Sequence, residues 1–196
     1  CGISLQSDKG QEVRKYIDRS TKAYKDKDFK HTVSRFQNIS TQKVLVGHSR
    51  LQTNGESNDN TNNQPIKIQD QVLVHNGIVC NYEDLYIDND IAKTSELDSE
   101  YLVKRYHSLL TKLNNQDSLS ELFSEIEGET TIATFNKNSL DIATNCGNLY
   151  YIYFQDSFEL IFSSERRFLI EIQKLFNKSK ISHLSPGSSL IFDFDF

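Results

Sequence analysis

No methionine occurs anywhere in the 196 residues, and the chain is numbered from a cysteine, in "CGISLQ". Other absences narrow the field. No stretch approaches the roughly eighteen apolar residues of a membrane span, which excludes a transmembrane helix, and no secretory signal is visible. Cys1, Cys80 and Cys146 are odd in number and lack CxxC spacing, which argues against a disulfide framework or a zinc site and for a reducing, cytoplasmic compartment. The histidines (His31, His48, His75, His107, His183) form no HxxxH or HxH pair, so no metal site is expected. Neither GxGxxG nor GxxxxGK[ST] occurs, which removes the usual nucleotide loops and leaves no cofactor to expect. Basic runs are missing as well: 22 Lys and Arg face 27 Asp and Glu, for a net charge of −5. That balance speaks against a nucleic-acid face.

What is present reads as α+β, in a single domain covering 1–196. "GISL" is a strand, and "KGQEVRKYIDRSTKAY" follows it as a helix with Val13, Tyr16, Ile17 and Tyr24 on one face. "YKDKDFKH" interleaves its charges like a solvated helix end. "KVLVGHSRL" is a strand, and Asn54 to Pro65 is a loop built of turn formers. "IKIQDQVLVHNGI" is a hairpin closing at Gln69-Asp70. "DSEYLVKRYHSLLTKL" is the clearest helix, with Asp98 as its N-cap. Four strands follow in "TTIATFN", "SLDIATN", "LYYIYFQ" and "FELIFSS". The helix "ERRFLIEIQKLF" is capped by Ser164, and "GSSLIFDFDF" closes the chain as a strand. Strands at both ends and many antiparallel connections fit α+β rather than a βαβ repeat.

A leading cysteine, once exposed by processing, carries two reactive groups. Its α-amine titrates at roughly 7.7–8.0 beside a thiol at roughly 8.5, so base and nucleophile share one residue. Hydrolysis of an amide borne by an amino acid would need little more. The thiolate attacks, and a thioester divides one hard step into two. Asn76 and Gly77 of "HNG" offer an amide and a backbone N–H to the oxyanion. Arg50 offers a guanidinium fork to an α-carboxylate, and Asp98 a carboxylate to an α-ammonium. Each residue also has an ordinary reading. Asp98 alone is an N-cap, Arg50 a surface cation and Asn76-Gly77 a turn. His48 and His75 read as satisfied core histidines, Cys80 and Cys146 as structural. It is the combination with Cys1 that points to catalysis.

Cys1-Gly2-Ile3, "GHSRLQT", "QPIKIQDQVLVHNGIVCNYEDL" and "LDSEYL", in that order, resemble the glutaminase domain of the class II glutamine amidotransferases, a group of N-terminal nucleophile hydrolases. Weaker echoes in "IEGETTIATF", "ATNCGNLYYI", "FSSERRFL" and "LSPGSSLIF" extend the resemblance over nearly the whole chain. It implies a four-layer αββα sandwich of two mainly antiparallel sheets. It also implies Cys1 as nucleophile with its own amine as base, Asn76 and Gly77 as oxyanion hole, and Arg50 and Asp98 as glutamine clamps. Leu51, where other branches carry an aromatic residue, makes the asparagine-synthetase branch the most similar. Ile78 stands where the family has a glutamate, and "HTVSRFQNIS" lies where Arg-Gly-Pro-Asp is usual; both fall outside the glutamine-contacting set. The expected activity is hydrolysis of L-glutamine to glutamate and ammonia. The ammonia would pass to a synthetase-type acceptor on a separate subunit or a removed domain, since no ATP-pyrophosphatase loop is present. The Asn54–Gln64 loop reads as a lid over glutamine or as a surface insertion. A catalytically silent regulatory or scaffolding subunit is the alternative function, and a hydrolase of another amide a third.

Overall fold

The computed structural model describes residues 1–17, 20–49, 60–175 and 180–194. Its first strand, β1 (Gly2–Ser7), is buried along its whole length and is paired on both sides. On one side lies β2 (Gly10–Lys15), reached through a tight turn in which Gly10 takes φ 108°. On the other lies β3 (Lys43–His48), with Gly2 opposite His48. The sequence reading of a helix from Lys9 to Tyr24 is therefore corrected. Among the described residues of that stretch, only α1 (Ser20–Ala23) is helical. A period of two explains the outcome: Val13 packs inward against the five-stranded sheet's core cluster, while Glu12 turns to the opposite face and accepts from Thr32 and Arg35. Those two residues belong to α2 (Lys27–Asn38), which begins where the sequence suggested a helix end. Asp26 caps it by accepting the N–H groups of Asp28 and Phe29 at 2.8 and 3.2 Å.

The hairpin is as expected. A short 3₁₀ turn (Asn60–Asn62) leads into β4 (Ile66–Ile68) and β5 (Gln71–Gly77), and Gln69 takes the left-handed conformation the turn needs. After it come α3 (Tyr82–Asp88), α4 (Asp98–Leu110) and α5 (Asn115–Glu125). Neither α3 nor α5 was anticipated. Leu97 is the N-cap of α4 and makes no side-chain capping bond; Asp98 is the first helical residue. Strands β6 (Thr130–Phe135), β7 (Ser139–Thr144), β8 (Tyr150–Phe154) and β9 (Glu159–Ser163) match the four expected. Next is α6 (Arg166–Gln173), preceded by Glu165, whose N–H is taken by Ser163 rather than Ser164. The two-residue β10 (Ser182–His183) and β11 (Ser188–Asp193) finish the described chain.

Among the described residues all strand pairings are antiparallel, in a five-stranded sheet ordered β11-β7-β6-β5-β4 and two three-stranded sheets, β2-β1-β3 and β10-β8-β9. One face of the large sheet, through Leu73, Ile132 and Ala143, packs against Leu102, Tyr106, Leu109 and Leu122 of α4 and α5. The other face, through Val72, Val74, Phe135 and Ile142, meets Val44 and Val46 of β3 together with Tyr151, Leu160 and Phe162 of β8 and β9. Helices α2 and α6 cover the outer sides of the two small sheets. The αββα layering thus holds, with its second sheet layer divided in two. Alternation along each central strand sends successive side chains into the two apolar layers. Among the described residues no helix is long and apolar enough to cross a membrane.

Candidate active site

Cys1 sits half-buried at the head of β1, joined to no disulfide. Its α-amine donates to the Tyr16 carbonyl at 2.9 Å, and the Tyr16 N–H returns to the Cys1 carbonyl at 2.7 Å. The Asn63 carboxamide donates to the same Tyr16 carbonyl at 3.2 Å. One carbonyl thereby fixes both the terminal amine and the segment leading into β4.

Gly2 brings that segment close. A Cβ on Gly2 would lie 2.3 Å from the Gln64 carbonyl oxygen and 2.8 Å from both the Arg14 carbonyl oxygen and Pro65 Cδ. Backbone atoms cannot yield as a side-chain tip can, so only glycine allows this approach. Asn62, Asn63 and Gln64 are buried, so this end of the Asn54–Gln64 loop is packed into the fold rather than a surface insertion. Residues 50 to 59, and with them Arg50, Leu51 and the start of that loop, lie outside the described residues.

Gln64 then grips β5. Its carboxamide accepts the His75 N–H at 2.5 Å and donates to the His75 carbonyl at 3.1 Å, as a neighbouring strand would. The His48 ring, opposite Gly2, reaches the same carbonyl at 3.1 Å. The Cys1 end of β1 and the Asn76 end of β5 are thus held together. Asn76 and Gly77 are exposed there, at the strand terminus. Gly77 has φ 138°, and a Cβ on it would fall 1.9 Å from the Glu129 carbonyl oxygen. Its glycine identity follows from both facts.

Asp98 joins the assembly from α4. One carboxylate oxygen accepts the Val79 N–H at 3.0 Å and the other the Ser99 N–H at 2.7 Å. His75 Nδ1 lies 3.7 Å from the second oxygen. Burial works to raise the pKa of Asp98; the neighbouring His75 imidazole, with the Val79 and Ser99 N–H groups, outweighs it and holds the carboxyl below its usual range. The group is an anion at neutral pH. Asp98 does more than begin a helix, because it ties the turn after Gly77 to the first turn of α4.

Two residues of this assembly had no role assigned from the sequence. Gln64 and Ser99 lie inside the quoted motifs, but their partners are 11 to 35 residues away. Ser99 Oγ accepts from Gln64 Nε2 at 3.2 Å and lies 3.1 Å from His75 Nδ1. His75 is buried as expected, yet its Nε2 has no hydrogen-bond partner among the described residues. Cys80 is exposed and packs no core. Cys146 lies 3.5 Å from Thr131 Oγ1, and Thr131 stands directly opposite Asn76. Burial opposes ionisation of that thiol, but Thr131, the Asn148 N–H and Thr144 hold its pKa below the ordinary value. Concavities of about 250 Å³ beside Lys9, His31 and Arg35, and about 230 Å³ beside Phe123 and Gly187, are lined by none of Cys1, Asn76, Gly77 or Asp98. Convergent chemistry, rather than cavity size, marks the site.

Comparison with known proteins bears on this geometry. A family model described as a glutamine amidotransferase domain matches residues 48–171, more than half of the chain. The glutamine–fructose-6-phosphate aminotransferase (isomerizing) of Shouchella clausii is 28% identical over 145 residues, covering 72% of this chain and 23% of that protein. The chain therefore spans about a quarter of that relative's length. Among solved structures, the glutamine phosphoribosylpyrophosphate amidotransferase of B. subtilis, complexed with ADP and GMP, superimposes with a TM-score of 0.70 at 14% identity. That match covers 98% of this chain and 40% of the other. A glutamine aminotransferase class-II domain protein from Silicibacter pomeroyi gives a TM-score of 0.64 at 14% identity, covering 100% of this chain and 90% of its own. At such identities the structural matches speak to the fold.

Proposed function

The chain belongs to the class II glutamine amidotransferases, and on that premise we propose that it hydrolyses L-glutamine to glutamate and ammonia through Cys1. The observation that supports this reading is that the head of β1, which Cys1 begins, is tied through His48 and Gln64 to the backbone of His75, the residue before Asn76 and Gly77. The α-amine takes the thiol proton as sulfur attacks the carboxamide carbon. The carbonyl oxygen becomes an oxyanion, to which the Asn76 side chain and the Gly77 N–H donate. As the tetrahedral intermediate collapses, the C–N bond breaks and the amine's proton leaves with ammonia. A thioester remains on Cys1. Water, deprotonated by the same amine, attacks it, and the returned proton restores the thiol as glutamate departs. Asp98 holds the α-ammonium of the substrate and Arg50 its α-carboxylate, with Leu51 beside it. No cofactor takes part.

The whole chain, 1–196, forms one glutaminase domain in this reading, working in the cytoplasm, where its cysteines stay reduced. Ammonia goes to a synthetase-type acceptor, on another subunit or on a domain of a longer protein. Leu51 is the sole support for an asparagine-synthetase-like branch, while the curated relative named above carries the name of a sugar-phosphate aminotransferase. A silent scaffolding subunit is disfavoured by the retention of Cys1, Asn76, Gly77 and Asp98 together. Purified protein, its N-terminus verified by mass spectrometry, should release glutamate and ammonia in equal amounts from glutamine. Cys1→Ala should abolish the release, and an electrophilic glutamine analogue should label Cys1 while sparing Cys80 and Cys146. Turnover by the Cys1→Ala protein would overturn the mechanism.

A further inference from the structure

His75 is almost wholly shielded from solvent, its side chain only 1% exposed, yet among the described residues one ring nitrogen is bonded and the other bare. A histidine kept only for packing would ordinarily have both nitrogens satisfied, because a buried polar atom without a partner costs free energy. An aliphatic side chain would fill the same space without that cost. What it would lose is the contact of Nδ1 with Ser99 Oγ at 3.1 Å. Ser99 Oγ in turn lies 3.3 Å from the Asp98 carboxylate, and its backbone N–H donates to the same carboxylate oxygen. The bare Nε2 faces the other way. It lies 3.1 Å from the place a Cβ on Gly77 would occupy, so the ring forms the wall against which Gly77 rests.

We propose that His75 is a positioning residue which, through Ser99, holds the Asn76–Gly77 oxyanion donors in register with the Asp98 clamp. The inference rests on the glutaminase reading above. A rigid link of this kind makes the two ends of one substrate align together: when Asp98 engages the α-ammonium, the donors for the distant carboxamide are already set. The cost of the bare nitrogen is offset because imidazole combines a polar Nδ1 edge toward Ser99, the part that positions the donors, with a flat wall toward Gly77. His75 itself touches no reacting atom, and its loss should be felt in turnover rather than in binding.

Steady-state glutaminase kinetics on the full chain test this, with melting temperature measured alongside. His75→Leu should lower kcat by about ten- to a hundredfold while KM for glutamine stays within about threefold, the size of effect expected when reacting groups shift by a fraction of an ångström. His75→Asn places an amide where Nδ1 stood, can still reach Ser99, and should recover most of that loss. Ser99→Ala should reduce kcat in the same direction, and it decides the matter if His75→Leu does not fold. The proposal is overturned if kcat is unchanged in both His75→Leu and Ser99→Ala, if the loss lies wholly in KM, or if His75→Asn is no better than His75→Leu at equal stability. Failure of the glutaminase reading would show instead in the wild type, as an absence of ammonia release, and would take this proposal with it.

Discussion

At the scale of single residues, carboxylates in this protein differ by what surrounds them. Asp98 is held anionic by His75 and two backbone N–H groups. Its role is separable from helix initiation, because Leu97 occupies the cap position. Asp98→Asn keeps one acceptor oxygen for the fold but removes the charge. It should raise the KM for glutamine at least tenfold, about the loss expected from one charge-assisted bond, with a far smaller change in melting temperature. Normal binding by Asp98→Asn would leave the residue a purely structural tie. Glu100 offers a contrast. Burial opposes its charge, but Lys104, at 2.6 Å, with Thr94 and Ser95, lowers its pKa from 4.5 to about 2. A depressed acid stabilises the fold above its unfolded pKa and loses that contribution as pH falls through its folded value. Glu100→Gln should therefore be less stable than wild type by on the order of 2 kcal/mol at pH 7. The gap should close between about pH 4.5 and 2 in urea titrations at stepped pH; a gap independent of pH would refute the assignment. Asn76, Gly77 and Asp98 stand out in the sequence as candidates because each ends a strand or begins a helix in a short polar cluster. Gln64 and Ser99 could not, since their partners come from elements brought near only by folding.

Among the elements, alternation was the more dependable guide. Strands β5 to β9 each showed apolar runs broken by turn residues, and each formed where expected. β2 differs from the helix expected there because Val13, Tyr16 and Ile17 do satisfy a helical spacing, but the strand ends at Lys15 and holds only Val13 of the three. The choice was made by β1, which needs partners along both edges. α5 escaped notice for another reason. Its buried face rests on Ser118, Leu119 and Leu122 in an otherwise polar stretch, and its start is fixed by Asn114 accepting the Asp117 N–H at 2.9 Å. The element with the least tolerance is β1 at its first position. Gly2→Ala puts a methyl group 2.3 Å from a backbone oxygen, so the Asn63–Gln64 segment must move. Because that segment holds both the Tyr16 carbonyl and the backbone of His75, activity should fall by at least tenfold even in protein that remains folded. Full activity in a folded Gly2→Ala protein would show that the close approach of β1 to Gln64 is dispensable.

For the molecule as a whole, the pattern of the residues indicated α+β and the family resemblance implied the four layers, but neither indicated the division of the second sheet, because the separation depends on which strand edges meet in space. Coupling to an acceptor is expected at this scale. In the proposed setting the isolated chain should liberate one ammonia per glutamate into solvent, and the rate should rise when the cognate acceptor subunit and its substrate are added. An isolated chain already at its maximal rate, and indifferent to every candidate acceptor, would defeat the coupled reading. The pairing of Cys1 with Tyr16 carries one more consequence. Its two bonds use the nitrogen and the carbonyl oxygen of Cys1, and an ordinary peptide N–H can donate to Tyr16 just as an amine can. A chain bearing an additional residue ahead of Cys1 can therefore build the same sheet and keep the same stability, yet its Cys1 nitrogen, now an amide, has no basic lone pair to take the thiol proton. Such an extended chain would be fully assembled and dormant. Its melting temperature should match that of the chain starting at Cys1 within a few degrees, while its ammonia release should be lost; folding and reactivity would thus be set by different features of the same terminal residue.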